Sequence, residues 1–291
     1  MRTPDRDPAS AAPWDTMGEW LRFKTPDYVD VDSMFASGRF VDDDGVTIRP
    51  DEPFAHNRFV WFHRDLREEP EVTAPVLVVH RDERLVVVDK PPFLSSIPRG
   101  KHVLQSVVVR MRAQLDLPEL SPVHRLDRGT SGLLMLTTEA RWRGPYQSLF
   151  ERRAVDKTYW ALAPLPEGLE FPLEVRNHIR KERGIVRAQV VTGAPVNAIT
   201  RVEYELREGS FGVYRLTPAT GRTHQLRVHM AGLGIPIVND PLYPDVLEVD
   251  IDDFRKPLQL LAGELSFVDP IDGSPRRFLS ERSIPIAAEH N

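Results

Sequence analysis

PVHRLDRGTSGLLMLT, residues 122–137, runs from a charged loop through a glycine turn into an unbroken apolar stretch. His124, Arg125, Asp127 and Arg128 crowd the loop, Gly129-Thr130-Ser131-Gly132 makes the turn, and Leu133 to Leu136 reads as a buried strand. A carboxylate set between two arginines at the mouth of a core strand is expected to be ionised at neutral pH. Taken alone, an R-x-D pattern also describes a structural ion pair at a strand end.

Outward from this stretch the chain is rich in strands. VLVVH (76–80) and RLVVVDK (84–90) are short β-branched runs of the kind buried strands use, and Pro91-Pro92 ends the second. Leu104, Val107, Val108, Met111 and Leu115 mark one face of a helix over 103–116. Downstream, 139–153 reads as a helix with a basic face, broken or started at Pro145. Strands are expected at 157–163, 185–192, 199–206, 211–217 and 263–270, with a helix at 223–234. Helices interrupt the strands irregularly, which predicts an α+β fold with a mixed sheet instead of a doubly wound one.

Three segments are expected: a disordered or loosely held arm over 1–13, a small acidic segment over 14–72, and a catalytic-sized domain over 73–291. In the second, Asp42-Asp43-Asp44-Gly45 reads as a turn between short strands. The net charge of −5 hides an uneven distribution. Residues 1–72 hold 9 Lys/Arg against 16 Asp/Glu, while 73–291 hold 29 against 27. Basic stretches lie at 141–157 and at Arg176, Arg180, Lys181, Arg183 and Arg187. Charge alone makes these solvated faces as readily as nucleic-acid contacts.

Several function classes are excluded. The chain has no Cys, so it has neither disulfides nor thiolate metal sites, and a reducing cytoplasm suits it. The first fifteen residues lack the apolar core of a signal peptide, and no apolar run approaches the roughly 18–20 residues of a membrane span. His224 and His229 are five apart, about 140° around a helix, and therefore cannot share a metal in the H-E-x-x-H manner. No metal is expected. Neither a nucleophile elbow nor a phosphate-binding glycine loop is present.

Two further stretches concentrate polar groups. DKTYWALAP (156–164) puts Lys157 and Tyr159 on one side of a strand, and TGRTHQLRVHMAGLGIPIVNDPLYP (220–244) is the densest polar run in the chain. Together with HRLDRGTSGLLMLT and VVVDKPP (86–92), these stretches closely resemble, in order, the motifs of the RluA family of pseudouridine synthases. The resemblance covers roughly residues 75 to 270. It departs from the family at Leu260-Leu261-Ala262, where Leu-His-Ala is usual, and at Asn239-Asp240, where Gly-Asp is common. ASGRFVDDDGVTIRP (36–50) looks faintly like the small RNA-binding module of some relatives, but carries an Asp triplet where that module is basic.

The resemblance implies a mainly antiparallel sheet with peripheral helices and a central cleft, and conversion of uridine to pseudouridine in ribosomal or transfer RNA. Asp127 would be the catalytic carboxylate, acting at C1′ or at the uracil ring. Arg222 would be its ion-pair partner, and Tyr159 would lie against the uracil as candidate base. Arg125 would fill the space left by a flipped-out nucleotide, and Lys157 would hold phosphate. The isomerisation needs no cofactor; composition points to the cytoplasm, and the family points to a monomer. Two other readings stand beside this one. A catalytically inactive RNA-binding or ribosome-assembly factor on the same fold would be free to lose Asp127, Tyr159 or Arg222. A glycosidase would need a second acid near Asp127.

Overall fold

The computed structural model describes all residues except 8–10, 26–28, 63–67, 100–101, 167, 183 and 287–291. It divides into two units, Met1–Glu68 and Glu69–Asn291.

The N-terminal unit begins its first helix, α1 (Met17–Lys24), with a capping box: the Thr16 hydroxyl accepts from Glu19 N–H while the Glu19 carboxylate accepts from Thr16 N–H. Asp30 caps α2 (Val31–Ala36) by a single bond, its carboxylate accepting from Ser33 N–H. Strand β1 (Phe40–Val41) pairs with β2 (Trp61–Phe62), and Met17, Trp20, Leu21, Phe40, Ile48 and Val60 form the core. The Asp42–Gly45 turn is present, with the Asp42 carboxylate accepting from Asp44 and Val46 N–H. The chain returning from it makes only a bridge from Thr47 to Val41. The strand partner comes from residue 61 instead. Residues 1–3 also depart from the loosely held arm expected of 1–13. The N-terminal ammonium donates to Val60 O, and Thr3 N–H donates to Arg58 O at 2.9 Å.

The larger unit contains β3 (Leu77–Arg81), β4 (Leu85–Lys90), α3 (Val107–Leu115), β5 (Ser121–Pro122), β6 (Ser131–Thr137), α4 (Ala140–Glu151) and β7 (Val155–Pro164). It continues with β8 (Leu173–Asn177), β9 (Ile179–Arg180), β10 (Gln189–Val190), β11 (Ala198–Glu208), β12 (Phe211–Pro218), α5 (Gln225–Gly232), β13 (Leu260–Val268) and β14 (Pro275–Leu279). Its sheet runs β3-β4-β6-β13-β7-β12-β11-β8, with β14 beside β13 and β5 beside β6. Every strand pair is antiparallel except β6 with β13. This is the mixed α+β sheet that the irregular order of elements predicts.

Strands β4 and β6 are buried along their whole length because a helix covers each face. Val86, Val88, Leu134 and Leu136 pack with Val107, Val108 and Met111 of α3. Leu85, Val87, Leu133 and Met135 pack with Tyr146 and Leu149 of α4 on the other side. That two-sided burial is why both strands read as unbroken apolar runs. Gly132 sits where β6 meets β13: its φ is +106°, and a Cβ there would lie 2.2 Å from Ala262 O. Only glycine fits this approach.

Three boundaries differ from expectation. Helix α3 starts at Val107, not 103; Val103, Leu104 and Gln105 lie before it, with their N–H groups bound by the Glu69 carboxylate. Helix α4 continues through Pro145 without breaking. Of the strand expected at 185–192, only Gln189–Val190 pairs, in a two-stranded ribbon with β9, and the apolar Ile185 and Val186 are exposed.

Candidate active site

Asp127 lies on the loop before β6, and this loop is bolted down from three sides. The Ser96 hydroxyl donates to Leu126 O at 2.8 Å and accepts from Leu126 N–H at 3.0 Å. Lys90, at the end of β4 and fully buried, donates from Nζ to Pro91 O, Leu94 O and Arg128 O at 2.9, 2.8 and 3.1 Å. Burial pushes this lysine's pKa well below its usual value. Three carbonyl acceptors nonetheless match the three protons of an ammonium. On the third side, His124 stacks on Phe150 and accepts from Met135 N–H through Nε2. Burial, with Lys157 nearby, lowers its pKa to about 3 and keeps it a neutral acceptor. The loop ends on Thr130 N–H donating to Asp127 O at 3.1 Å. The Asp127 side chain, 31% exposed, projects from this frame.

Its cationic partner is Arg227, not Arg222. Arg227 Nη1 lies 3.3 Å from Asp127 Oδ2, while Nε and Nη2 grip both oxygens of Asp240 at 2.7 and 2.6 Å. Asp240 is itself fixed, accepting from Leu242 N–H and Tyr243 N–H. The geometry is a bidentate clamp with one guanidinium nitrogen left over for Asp127. Burial alone would lower the pKa of Arg227, but Asp240 and Asp127 raise it. Arg222 sits one turn earlier, exposed, with its Nε donating to Asn197 O at 3.2 Å. The expectation for Arg222 fails because the helix begins only at Gln225. The Gln225 side chain ties the 220–222 turn to β11, accepting from Thr220 Oγ1 and Arg222 N–H and donating to Ile199 O and Thr200 Oγ1. Arg222 is thereby held outside the helix, and Arg227 becomes the inward-facing arginine of α5. Within α5, Arg227 stands among uninterrupted buried residues, Gln225 to Met230, and a buried arginine needs a carboxylate.

His224 Nε2 lies 3.8 Å from Asp127 Oδ2, and its Nδ1 is 3.0 Å from the Tyr243 hydroxyl. Read from the sequence, His224 is weighed only as a metal ligand and Asp240 only as part of a departure from the family, and neither they nor Tyr243 are given a role beside Asp127. Tyr159, on β7, is half-buried and packs at the junction of two cores. Burial and then the negative charge of Asp127 push its phenol above the usual tyrosine range, so it is protonated at neutral pH. The resting site thus holds a phenol, not a phenolate. Lys157, two residues before it, is half-buried, and burial with Arg153 lowers its pKa. Arg125 is exposed, and its guanidinium makes no hydrogen bond or ion pair among the described residues.

The basic series further along is mostly self-paired. Arg176 pairs with Glu174 and Arg180 with Glu182, Lys181 donates to Ile185 O, and Arg187 donates to Pro244 O; Arg183 lies outside the described residues. Among the described residues no group of three His, Asp or Glu is placed to hold a metal, and no helix is long and apolar enough to cross a membrane.

A buried arginine clamped to one aspartate and presenting its spare nitrogen to a second, half-exposed one is a site for a charged oxygen at work. Comparison with known proteins gives that chemistry its class. Residues 84–232 match the RNA pseudouridylate synthase family. An uncharacterized RNA pseudouridine synthase of Synechocystis sp. is 32% identical over 203 residues, 69% of each chain. The dual-specificity RNA pseudouridine synthase RluA of Vibrio cholerae is 33% identical over 206 residues, 66% of this chain and 77% of its own. Among solved structures, human RNA Pseudouridylate Synthase Domain Containing 4 superposes with a TM-score of 0.54 at 26% identity, covering 72% of this chain and 89% of that one. The chain belongs to the RluA family of RNA pseudouridine synthases, enzymes that isomerise uridine within RNA.

Proposed function

We propose that Asp127 is the catalytic carboxylate, acting on a uridine flipped out of a structured ribosomal or transfer RNA. The observation that carries this reading is the Asp240–Arg227–Asp127 chain, which keeps a charged carboxylate partly desolvated and compensated without consuming it. A free carboxylate in water would be solvated on both oxygens. Here one oxygen faces a guanidinium, and the other has no hydrogen-bond partner among the described residues.

Tyr159 supports the uracil from the β7 side. Its phenol is protonated while Asp127 carries charge, so it does not serve as base at the outset. On the C1′ route, attack by the Asp127 carboxylate breaks the C1′–N1 bond and its negative charge passes to the departing uracil; on the ring route, addition of the carboxylate moves that charge into the ring. Tyr159 is the candidate acceptor of the proton on carbon 5, which leaves only after carbon 5 has bonded to C1′. Arg125, exposed and unengaged, is free to enter the stack that the nucleotide leaves; unstacking costs a few kcal/mol. Lys157 and the surface arginines bind phosphate, with affinity that falls as salt rises. The reaction moves a base within one nucleotide and needs no group donor or redox partner, and the enzyme works as a cytoplasmic monomer.

The test is Asp127→Asn. The variant is expected to fold, to bind RNA as wild type does, and to release no tritium from RNA labelled at carbon 5 of uracil. Appreciable release would remove Asp127 from the chemistry and return the site to a structural ion pair.

A further inference from the structure

Both polar contacts to the Asp127 carboxylate reach the same oxygen. Arg227 Nη1 is 3.3 Å and His224 Nε2 3.8 Å from Oδ2. Oδ1 is left without a partner among the described residues.

The imidazole is built into its place. His224 stands at the N-cap of α5 with φ +58°, and its side chain is mostly buried. The Tyr243 ring meets it edge-on, at 5.8 Å and 85°. The Tyr243 hydroxyl accepts from Ala188 N–H at 2.7 Å and lies 2.9 Å from Ala188 O and 3.0 Å from His224 Nδ1. That hydroxyl has one proton and two acceptors for it. If the proton goes to Nδ1, the neutral imidazole carries its own proton on Nε2, facing Asp127. If it goes to Ala188 O, Nδ1 must be the donor, and Nε2 would present a lone pair to a negative oxygen unless it too is protonated. The carboxylate charge disfavours a lone pair on Nε2. In each arrangement that remains, an N–H faces Oδ2. The other charged groups around the imidazole are Arg227, Asp240 and Lys181.

A separation of 3.8 Å is too long for a hydrogen bond, so the N–H acts as a dipole or charge at close range. Its effect is on rotation. One contact from Arg227 would leave the carboxylate free to swing about its last torsion, exchanging its two oxygens. A second N–H on the same oxygen, from the N-cap three residues before Arg227, opposes that exchange. We propose that His224 is a positioning residue: together with Arg227 it holds Oδ2 and so makes Oδ1 the oxygen offered to the nucleotide. This rests on Asp127 being the catalytic carboxylate.

Two replacements separate the nitrogens. Gln places an amide nitrogen about where Nε2 stands, and Asn places one about where Nδ1 stands. His224→Asn is expected to lower kcat by about tenfold to a hundredfold with KM little changed, as misplacement of a reacting group does. His224→Gln is expected to recover most of that loss. Stability should rank the other way, because Asn tolerates a positive φ better than Gln does. A residue that merely shapes the backbone would therefore favour Asn in thermal melts and in kcat alike. Equal kcat for the two variants, or Asn above Gln, overturns the proposal. Asp127→Asn measured alongside separates the two failures. If it is inactive while Asn equals or exceeds Gln, only the role of His224 falls; if it is active, the reading of Asp127 falls and takes this one with it.

Discussion

At the scale of single residues, the two arginines of the 220–244 stretch make opposite predictions. Arg227→Ala leaves Asp240 buried without its cation, and removing one partner of a buried pair costs on the order of 3–5 kcal/mol. Turnover should vanish as well, since Asp127 loses its only guanidinium contact among the described residues. Arg227→Lys keeps the charge but not the fork that grips both Asp240 oxygens, so it should restore some stability and little activity. Arg222→Ala removes one exposed bond to Asn197 O and should melt within about 0.5 kcal/mol of wild type. Its kcat should be close to wild type, with any loss confined to RNA affinity. Chemical denaturation and single-turnover kinetics on the three variants check this, and an inactive Arg222→Ala with normal RNA affinity would restore Arg222 to the site. The sequence could not rank these arginines by local pattern, because the partner of Arg227 lies 100 residues away and the choice depends on where α5 begins.

Elements were more legible than contacts where burial is complete. VVVDK and LLMLT read as strands because helices cover both faces, which leaves each an unbroken apolar run. The same rule misleads at 185–192, where apolar residues are exposed and the ribbon pairs over two residues only. The start of α3 was misjudged for another reason: Leu104 fits the apolar spacing but lies before the helix and is exposed. The least legible element contact is the parallel join of β6 and β13, made through Gly132 and Ala262. It is also the most sensitive. Gly132→Ala combines a disfavoured positive φ with a Cβ driven into backbone, and should cost at least about 3 kcal/mol. Because β6 carries the Asp127 loop at its N-terminal end, soluble variant protein should lose kcat as well as stability. Urea denaturation beside activity measures both, and a Gly132→Ala protein as stable as wild type would mean that β6 and β13 are not held at this distance.

For the whole molecule, the open question is what an acidic unit does beside an enzyme that must approach a polyanion. Residues 1–68 hold nine Lys/Arg against fourteen Asp/Glu, whereas residues 69–291 hold 29 of each. The unit has one feature that favours RNA, a stacked and exposed Phe59–Trp61 pair, since unpaired bases stack on aromatic rings. Yet the Trp61 Nε1 is tied to Asp43, beside Asp42 and Asp44, which sets negative charge where a phosphate would have to pass. Repulsion should win at low ionic strength. A protein comprising residues 69–291 retains the entire sheet, the Asp240–Arg227–Asp127 chain and the Glu69 carboxylate that shapes the approach to α3. It is therefore expected to bind substrate RNA more tightly than the full chain at about 50 mM salt, with the two converging towards about 200 mM as screening shortens the range of the N-terminal charges. Fluorescence anisotropy with labelled RNA across that range, on protein whose fold is checked by circular dichroism, decides the matter. Weaker binding by the shorter protein at every salt concentration would reverse the assignment, because only direct contact between the N-terminal unit and RNA could outweigh the loss of its repulsion.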